Sequence, residues 1–161
     1  MNLHHLLKET YAFLPPEKTL ADLTEQDAFH RVESGSVQHS IAEIVAHMEF
    51  WQSWFLRRCR GESAPMVEKA SLGWPAVLPG TWNDLRLRFL NGLEEATALS
   101  NQEGVLVRPV DPPIEFPPLA EYTIADALAH VAFHNGHHLG QIITLRQVHG
   151  NWPPAAGSWT W

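Results

Sequence analysis

The chain has 161 residues, of which 45% are hydrophobic and 18% are charged, a balance typical of a water-soluble globular protein. This length predicts one domain, residues 1–161, with a core of its own. The formal net charge of −7 and the lack of a basic run argue against nucleic acid or an anionic membrane surface as a partner.

Compartment and membrane association follow from the same composition. No apolar run approaches the ~18 residues that a membrane span requires, and the N-terminus lacks the basic and apolar regions of a secretory signal. Cys59 is the one cysteine, so an intramolecular disulfide is excluded. These features predict a cytoplasmic protein without membrane association.

The N-terminal region predicts short helical pieces. Apolar residues at helical spacing favour a first helix over residues 2–14, which the Pro15–Pro16 pair would end. Lys18–Phe29 is interpreted as another short helical piece, and Val32–Gln38 as a loop. No alternation typical of a strand is present in this region.

A long second helix is predicted from Ser40 to Arg60. Ser40 with Glu43 forms a capping box, and Gly61 follows as the residue that ends the helix. Its apolar face is expected to comprise Ile41, Ile44, Val45, Met48, Trp51 and Phe55. Cys59 lies on the same face and is interpreted as a small buried hydrophobic residue. His47 lies on the flank of that face, where a lone histidine is more often structural than a metal ligand.

The third helix is predicted to open at Thr81 and Asp84 and to end near Ser100, after a Glu62–Gly80 crossover loop. Its core residues are expected to be Trp82, Leu85, Phe89, Leu93 and Ala96. The next connection, Asn101–Tyr122, contains five prolines, so no regular helix is expected there.

Two further segments carry functional expectations. Within Asn101–Tyr122, residues 105–110 are compatible with a short extended segment, and a connection of this length is often a lid or binding loop. The C-terminal tail has three tryptophans in residues 151–161. Such an apolar tail is expected to pack over the helices or against a partner.

The longest predicted helix is Thr123–His149. Thr123 and Asp126 resemble a capping box, and Gly150 with the Pro153–Pro154 pair ends the helix. Its core-facing residues recur at steps of three and four: Ile124, Ala127, Leu128, Val131, Ile142 and Leu145.

Histidines interrupt that core-facing stripe. At about 100° per residue, His138 falls near its middle and His134 within its edge, whereas His130 lies on the boundary and His137 points to the polar side. Side chains four residues apart on one helix face can bind a single ion; two core histidines satisfied by hydrogen bonds are the alternative. The spacing is that of the zincin HExxH motif, but Asn135 replaces its glutamate, so the general base of that protease chemistry is missing.

Four helical segments without convincing strands predict an all-α fold, a four-helix bundle of the up-and-down type with long crossover loops. The last helix also carries small residues roughly opposite its histidines. Glycines inside a helix cost about 1 kcal/mol each relative to alanine, so close approach of another backbone is expected there. A homodimer partner or another helix of the same bundle would explain the stripe, and the tryptophan-rich tail favours the homodimer. The stripe comprises Ala125, Ala129, Ala132, Gly136 and Gly140.

Three stretches together resemble the DinB/YfiT-like family of small metal-binding four-helix bundles. HSIAEIVAHMEFW is similar to the family's second-helix pattern of a serine, an apolar pair and a histidine before an aromatic residue. HNGHHLGQI is similar to its fourth-helix pattern, in which HxxxH is followed by x-Gly-Gln. The tail RQVHGNWPPAAGSWTW resembles the ending of one large subgroup. The resemblance runs from about Leu20 to the C-terminus and departs at His39, where many relatives have tryptophan.

This resemblance implies that three metal ligands fall on His47, His134 and His138. Neutral imidazoles suit a divalent transition metal such as Zn, Ni, Fe or Cu, and three protein ligands leave a position for water or substrate. Metal affinity is then expected to fall below about pH 6, where imidazole is protonated. His137 and Gln141 belong to the motif without having to bind metal, and Gln141 is expected to serve packing rather than to hydrogen-bond a ligand.

The resemblance also implies a reaction class, because family members of known activity join a low-molecular-weight thiol to an electrophile or use such a thiol as an isomerase cofactor. The first hypothesis is a metal-dependent thiol S-transferase in which the metal presents a thiolate to a small-molecule substrate. Asn101–Tyr122 would wall the cavity for thiol and electrophile. The alternatives are a non-catalytic metal-binding or stress-response protein and a metal-dependent hydrolase, which the lack of a general base near the ligands weakens. No catalytic residue is assigned beyond the ligands.

Overall fold

The computed structural model describes residues 2–8, 13–32 and 39–157, and every regular element within these ranges is helical. This confirms the all-α fold, whereas the up-and-down connection of four helices stays a prediction. None of the described helices is long and apolar enough to cross a membrane. The α-helices in chain order are α1 (Leu3–Leu7), α2 (Pro16–Thr19), α3 (Glu25–Phe29), α4 (Ile41–Cys59), α5 (Trp82–Ser100), α6 (Glu103–Leu106) and α7 (Ile124–Val148).

The two helices that carry the candidate ligands begin at the predicted capping boxes. At the start of α4, the Glu43 amide donates to Ser40 Oγ at 3.3 Å and the Ser40 amide donates to Glu43 Oε2 at 2.8 Å. At the start of α7, Asp126 and Thr123 make the same pair of bonds at 3.2 and 2.9 Å. A cap of this kind contributes about 1 kcal/mol, and here it fixes where each histidine-bearing helix begins.

Helix α5 begins at the predicted residue for a different reason. The Thr81 side chain makes no capping hydrogen bond; its hydroxyl donates to the Leu78 carbonyl at 2.6 Å. The buried Trp82 side chain fixes the start of α5 instead, because it is 1% exposed and its indole donates to the Leu23 carbonyl at 3.0 Å. The long helices α4, α5 and α7 then enclose the core, where Phe89 and Leu128 are both fully buried.

The N-terminal prediction was wrong in extent. The first helix is α1, which ends at Leu7 rather than at the prolines, and residues 9–12 lie outside the described part of the chain. Pro16 occupies the first position of α2, where its missing N–H costs nothing. The predicted helical piece Lys18–Phe29 is divided between α2 and α3. Residues 33–38 of the predicted loop Val32–Gln38 are not described.

The Asn101–Tyr122 connection also differs from the prediction. Val105 and Leu106 belong to α6, so residues 105–110 are not one extended segment. The second half of that stretch pairs with the residues before α7: the Val110 amide donates to the Tyr122 carbonyl at 2.9 Å and the Ile124 amide to the Arg108 carbonyl at 2.9 Å, beside an isolated bridge between Pro109 and Thr123. This pairing fixes the connection to the start of α7.

Two buried arginines hold the connections onto the long helices. Arg58 of α4 is 2% exposed and donates to the Ala64 carbonyl at 2.9 Å and to the carbonyls of Pro112 and Pro113 at 3.0 Å. One guanidinium group thereby fixes both crossover connections.

Arg146 of α7 likewise holds the segment after α2 and the start of the C-terminal tail onto the helices. It is 1% exposed and donates to the Thr19 carbonyl at 2.6 Å and the Asn151 carbonyl at 2.9 Å. Its guanidinium lies 5.4 Å from the Trp152 ring, so the described start of the tail packs on the helices. Trp159 and Trp161 lie outside the described residues.

Candidate metal centre

Helices α4 and α7 bring the three predicted ligands together. One ring nitrogen from each of His47, His134 and His138 lies within 4.8 Å of the others. The His47 ring centroid is 4.9 Å from that of His134 and 4.8 Å from that of His138. The i, i+4 spacing on α7 places its two rings one turn apart, 4.6 Å between centroids, and α4 supplies the third ring from the facing helix.

Burial keeps these imidazoles neutral. His47 and His138 are 7% and 6% exposed, and His134 is partly buried. Desolvation disfavours the charged ring and lowers the pKa of His134 to about 3 and that of His138 to about 4, and it lowers the pKa of His47 as well. Each ring therefore offers a lone pair at neutral pH. Because these pKa values are lowered, protons should displace a metal from the rings only at a pH lower than the pH 6 expected from free imidazole.

The His47 ring is oriented by a backbone oxygen. Its Nδ1 lies 2.6 Å from the Gly73 carbonyl, which can only accept, so Nδ1 carries the proton. Its Nε2 is left with a lone pair and faces His134 Nε2 at 3.1 Å. Gly73 is needed for this approach, because a Cβ there would lie 2.7 Å from Trp51 Nε1.

A side-chain amide orients His138. Its Nδ1 donates to Gln141 Oε1 at 2.7 Å, which leaves Nε2 free for a metal. The expectation that Gln141 serves packing was wrong: the residue is exposed and its oxygen holds a candidate ligand. His137 is exposed, as its helical position predicted, and it is not among the three convergent histidines. Its Nε2 accepts from Gln141 Nε2 at 3.3 Å, and its ring lies 5.0 Å from that of His138.

Sequence reasoning missed Trp74, which lies between two histidine rings. It stacks on His47 with 3.8 Å between centroids and a 10° interplanar angle, and on His39 with 3.9 Å and 11°. These contacts fix the plane of the His47 ring. The sequence shows a tryptophan in the Glu62–Gly80 loop, but nothing in it indicates which residues that loop passes.

A fourth histidine flanks the group. His130 lies one turn before His134 on α7, is half-buried, and has its Nδ1 3.2 Å from the Tyr122 hydroxyl. Its ring packs on Phe55 at 4.7 Å. His130 is not part of the three-histidine group.

The described loop contacts to the ligands come mainly from the Glu62–Gly80 connection, through Gly73 and Trp74. The Asn101–Tyr122 connection lines a cavity of 620 Å³ beside α1 and α7, and another of 700 Å³ along residues 114–122. Neither of these cavities includes a candidate ligand. The expectation that this connection walls the metal cavity therefore finds no support in them.

The donor set fits a divalent transition metal. Three neutral imidazoles converge, two of them with Nδ1 held by an oxygen acceptor, which is the outer-shell arrangement of histidine metal ligands. Three protein ligands would leave an open coordination position. The fold and this group together define a helical protein with a candidate three-histidine metal centre.

The comparison with known families identifies the superfamily of this chain. The chain belongs to the DinB superfamily, whose sequence model matches residues 17–142, a range that includes all three histidines. No curated protein and no solved structure matches the chain.

Replacing any one of the three histidines by alanine should weaken zinc binding sharply. We expect losses above ~100-fold for His47→Ala, His134→Ala and His138→Ala, more than the loss of an outer-shell partner causes. Titration calorimetry with zinc measures the affinities. His137→Ala is the matched control and should stay near wild type, because its exposed ring is not among the three whose nitrogens converge. Loss of zinc in His137→Ala with binding retained in His134→Ala would contradict this assignment.

The lowered histidine pKa values also predict acid sensitivity of the metal-free protein. In the unfolded chain these rings are protonated below about pH 6.5. In the folded chain the pKa is about 4 for His138 and about 3 for His134, so the rings take up protons only at those lower pH values. Stability should therefore fall as the pH drops from about 6.5 to 4. Urea unfolding with a chelator at several pH values measures this slope. The double variant His134→Leu/His138→Leu should have a shallower slope, and an equal slope would contradict the prediction.

Proposed function

We propose that this protein is a metal-dependent enzyme that joins a low-molecular-weight thiol to a small electrophile. The observation that carries the proposal is the convergence of three neutral histidine nitrogens within 4.8 Å, in a group that contains no carboxylate and no thiolate. Such a set binds a Zn, Ni or Fe ion and leaves a position for an added ligand. DinB superfamily membership supports the metal-binding part of the proposal.

The added ligand in this proposal is the thiol sulfur. A divalent metal at this site would lower the thiol pKa, so that a thiolate is present at neutral pH. The sulfur attacks an electrophilic carbon, a C–S bond forms, and the leaving group departs with its electron pair or an epoxide C–O bond opens. The thiol proton passes to solvent. His47, His134 and His138 would hold the metal, and because their lone pairs would be donated to it, they would not accept that proton.

The protein's own cysteine is not suited to this task. Cys59 is 8% exposed on α4, and burial raises the pKa of its thiol to about 11. It therefore stays protonated and inaccessible at neutral pH. This supports a nucleophile that comes from outside, a small thiol of a reducing compartment such as the cytoplasm.

A second candidate function is non-catalytic metal binding. It is favoured by the burial of His47 and His138 and by the Trp74 indole stacked on His47, which leave little of the group open to solvent. A hydrolase is the weaker alternative, because the three-histidine group includes no carboxylate that could act as its general base.

The reaction can be tested directly. Protein loaded with zinc should conjugate at least one cellular thiol to a chlorinated or epoxide electrophile, and His134→Ala and His138→Ala should abolish the product, as measured by mass spectrometry. His137→Ala, with a complete ligand set, is the matched control. A fully loaded protein that conjugates no thiol, and whose Co²⁺-substituted spectrum does not change on addition of thiol, would leave metal binding as the function.

We also propose a homodimer formed through the outer surface of α7. Gly136 already packs against another part of the same chain, because a Cβ there would lie 3.4 Å from the Phe13 ring. Gly140, in contrast, faces open space, and Phe133 is 67% exposed. Light scattering should give twice the chain mass, and Phe133→Asp should shift the protein toward monomer. Wild-type protein that is monomeric throughout the micromolar range would contradict this proposal.

A further inference from the structure

A loop segment covers one side of the candidate metal centre. Residues 66–77 lie in the middle of the connection between α4 and α5, and two of them touch a candidate ligand. His47 Nδ1 donates to the Gly73 carbonyl at 2.6 Å, and the next residue, Trp74, stacks on the His47 ring at 3.8 Å. The Trp74 ring is also 6.0 Å from that of His138. A ligand that approaches the buried histidines from this side therefore meets the segment first.

Both ends of this segment are fixed independently of the histidines. Its first and last residues, Met66 and Val77, pack against the buried core. Directly before it, the Pro65 carbonyl accepts from the Trp54 indole at 2.9 Å, and shortly after it the Gly80 amide donates to a carboxylate of α3. None of these groups is a candidate ligand, so the middle of the segment can leave the centre while its two ends stay in place.

Between those ends, the segment is attached to the protein mainly through histidines. Within the described ranges, its one hydrogen bond to the rest of the chain is that of the Gly73 carbonyl with His47 Nδ1. The Trp74 indole fills a slot between two imidazole rings, 3.8 Å from His47 and 3.9 Å from His39. Residues 68–72 are exposed. A segment with so few external hydrogen bonds and so much exposed surface opens at a lower free-energy cost than the helices beside it.

We propose that residues 66–77 are a lid that gates access to the candidate metal centre, with Trp74 as its latch. In the closed position, which the structure shows, the indole fills the slot between His39 and His47. In the open position the indole leaves this slot and the Gly73 carbonyl releases His47 Nδ1. Because both attachments run through His47, closing the lid also orients a candidate ligand, so entry requires the open position and retention the closed one. This inference rests on the proposed metal site but not on the proposed reaction.

The lid can be tested through the rates of zinc binding to the full chain. Stopped-flow mixing with zinc measures association, and mixing of the loaded protein with a chelator measures release. Trp74→Ala removes the latch, so both rates should rise about 10-fold, the range for the loss of one ring stack. A faster release with an unchanged association rate would mean that Trp74 only orients His47, and this result would overturn the lid.

A second variant tests the latch without changing the lid or any candidate ligand. His39→Leu removes the outer ring of the slot and should raise both rates, whereas His39→Phe keeps an aromatic ring there and should retain the wild-type rates. Leu72→Ala is the matched control, because Leu72 lies in the lid beside Gly73 but is 54% exposed, and its rates should equal those of the wild type. Wild-type association in both Trp74→Ala and His39→Leu would overturn the proposal, and His39→Leu decides if Trp74→Ala does not fold.

The outcomes separate this inference from the proposed reaction. Faster zinc association in Trp74→Ala and His39→Leu, without thiol conjugation by the wild type, would support the lid and overturn the transferase. Conjugation by a protein whose zinc association is insensitive to both variants would do the reverse. A wild-type protein that binds no zinc would overturn both.

Discussion

The structure around the candidate site depends on one constraint: imidazole rings placed where a helix bundle would normally bury leucine must each have their polar atoms satisfied. Helices α4 and α7 meet along this face, and an unpaired ring nitrogen there would oppose their packing. The Gly73 carbonyl, the Gln141 amide and the contact between His47 and His134 meet this need. The same bonds turn ring lone pairs toward a common point. The hydrogen bonds that allow the rings to be buried on folding are therefore also the ones that orient them for a metal ion.

Local sequence patterns were sufficient for the parts of the molecule in which cause and effect lie within a few residues. Ser40 with Glu43 and Thr123 with Asp126 predicted the starts of the two ligand helices, because a capping box closes over three residues. The apolar period of α7 placed His134 and His138 toward the core and His137 away from it. The period of α4 alone left His47 ambiguous, and it became a candidate ligand through the family resemblance.

Contacts that depend on loop paths could not be predicted in the same way. Nothing local shows that Trp74 will stack on a histidine 27 positions earlier in the chain, or that the Gly73 carbonyl will face His47 Nδ1. Gln141 was misjudged because helical phase gives the direction of a side chain but not its hydrogen-bond partner. The N-terminal helix was overextended for a related reason: Pro16 was taken as the end of one helix when it begins another.

The buried arginines have a consequence for how this protein can vary. Within the described ranges, the hydrogen-bond acceptors of Arg58 and Arg146 are all backbone carbonyls, in Thr19, Ala21, Ala64, Pro112, Pro113 and Asn151. A carbonyl oxygen remains when its side chain is exchanged, so these bonds depend on the path of the connections rather than on their composition. The loops can therefore accept new side chains, and with them a different surface chemistry, while two guanidinium groups keep their course over the helices unchanged.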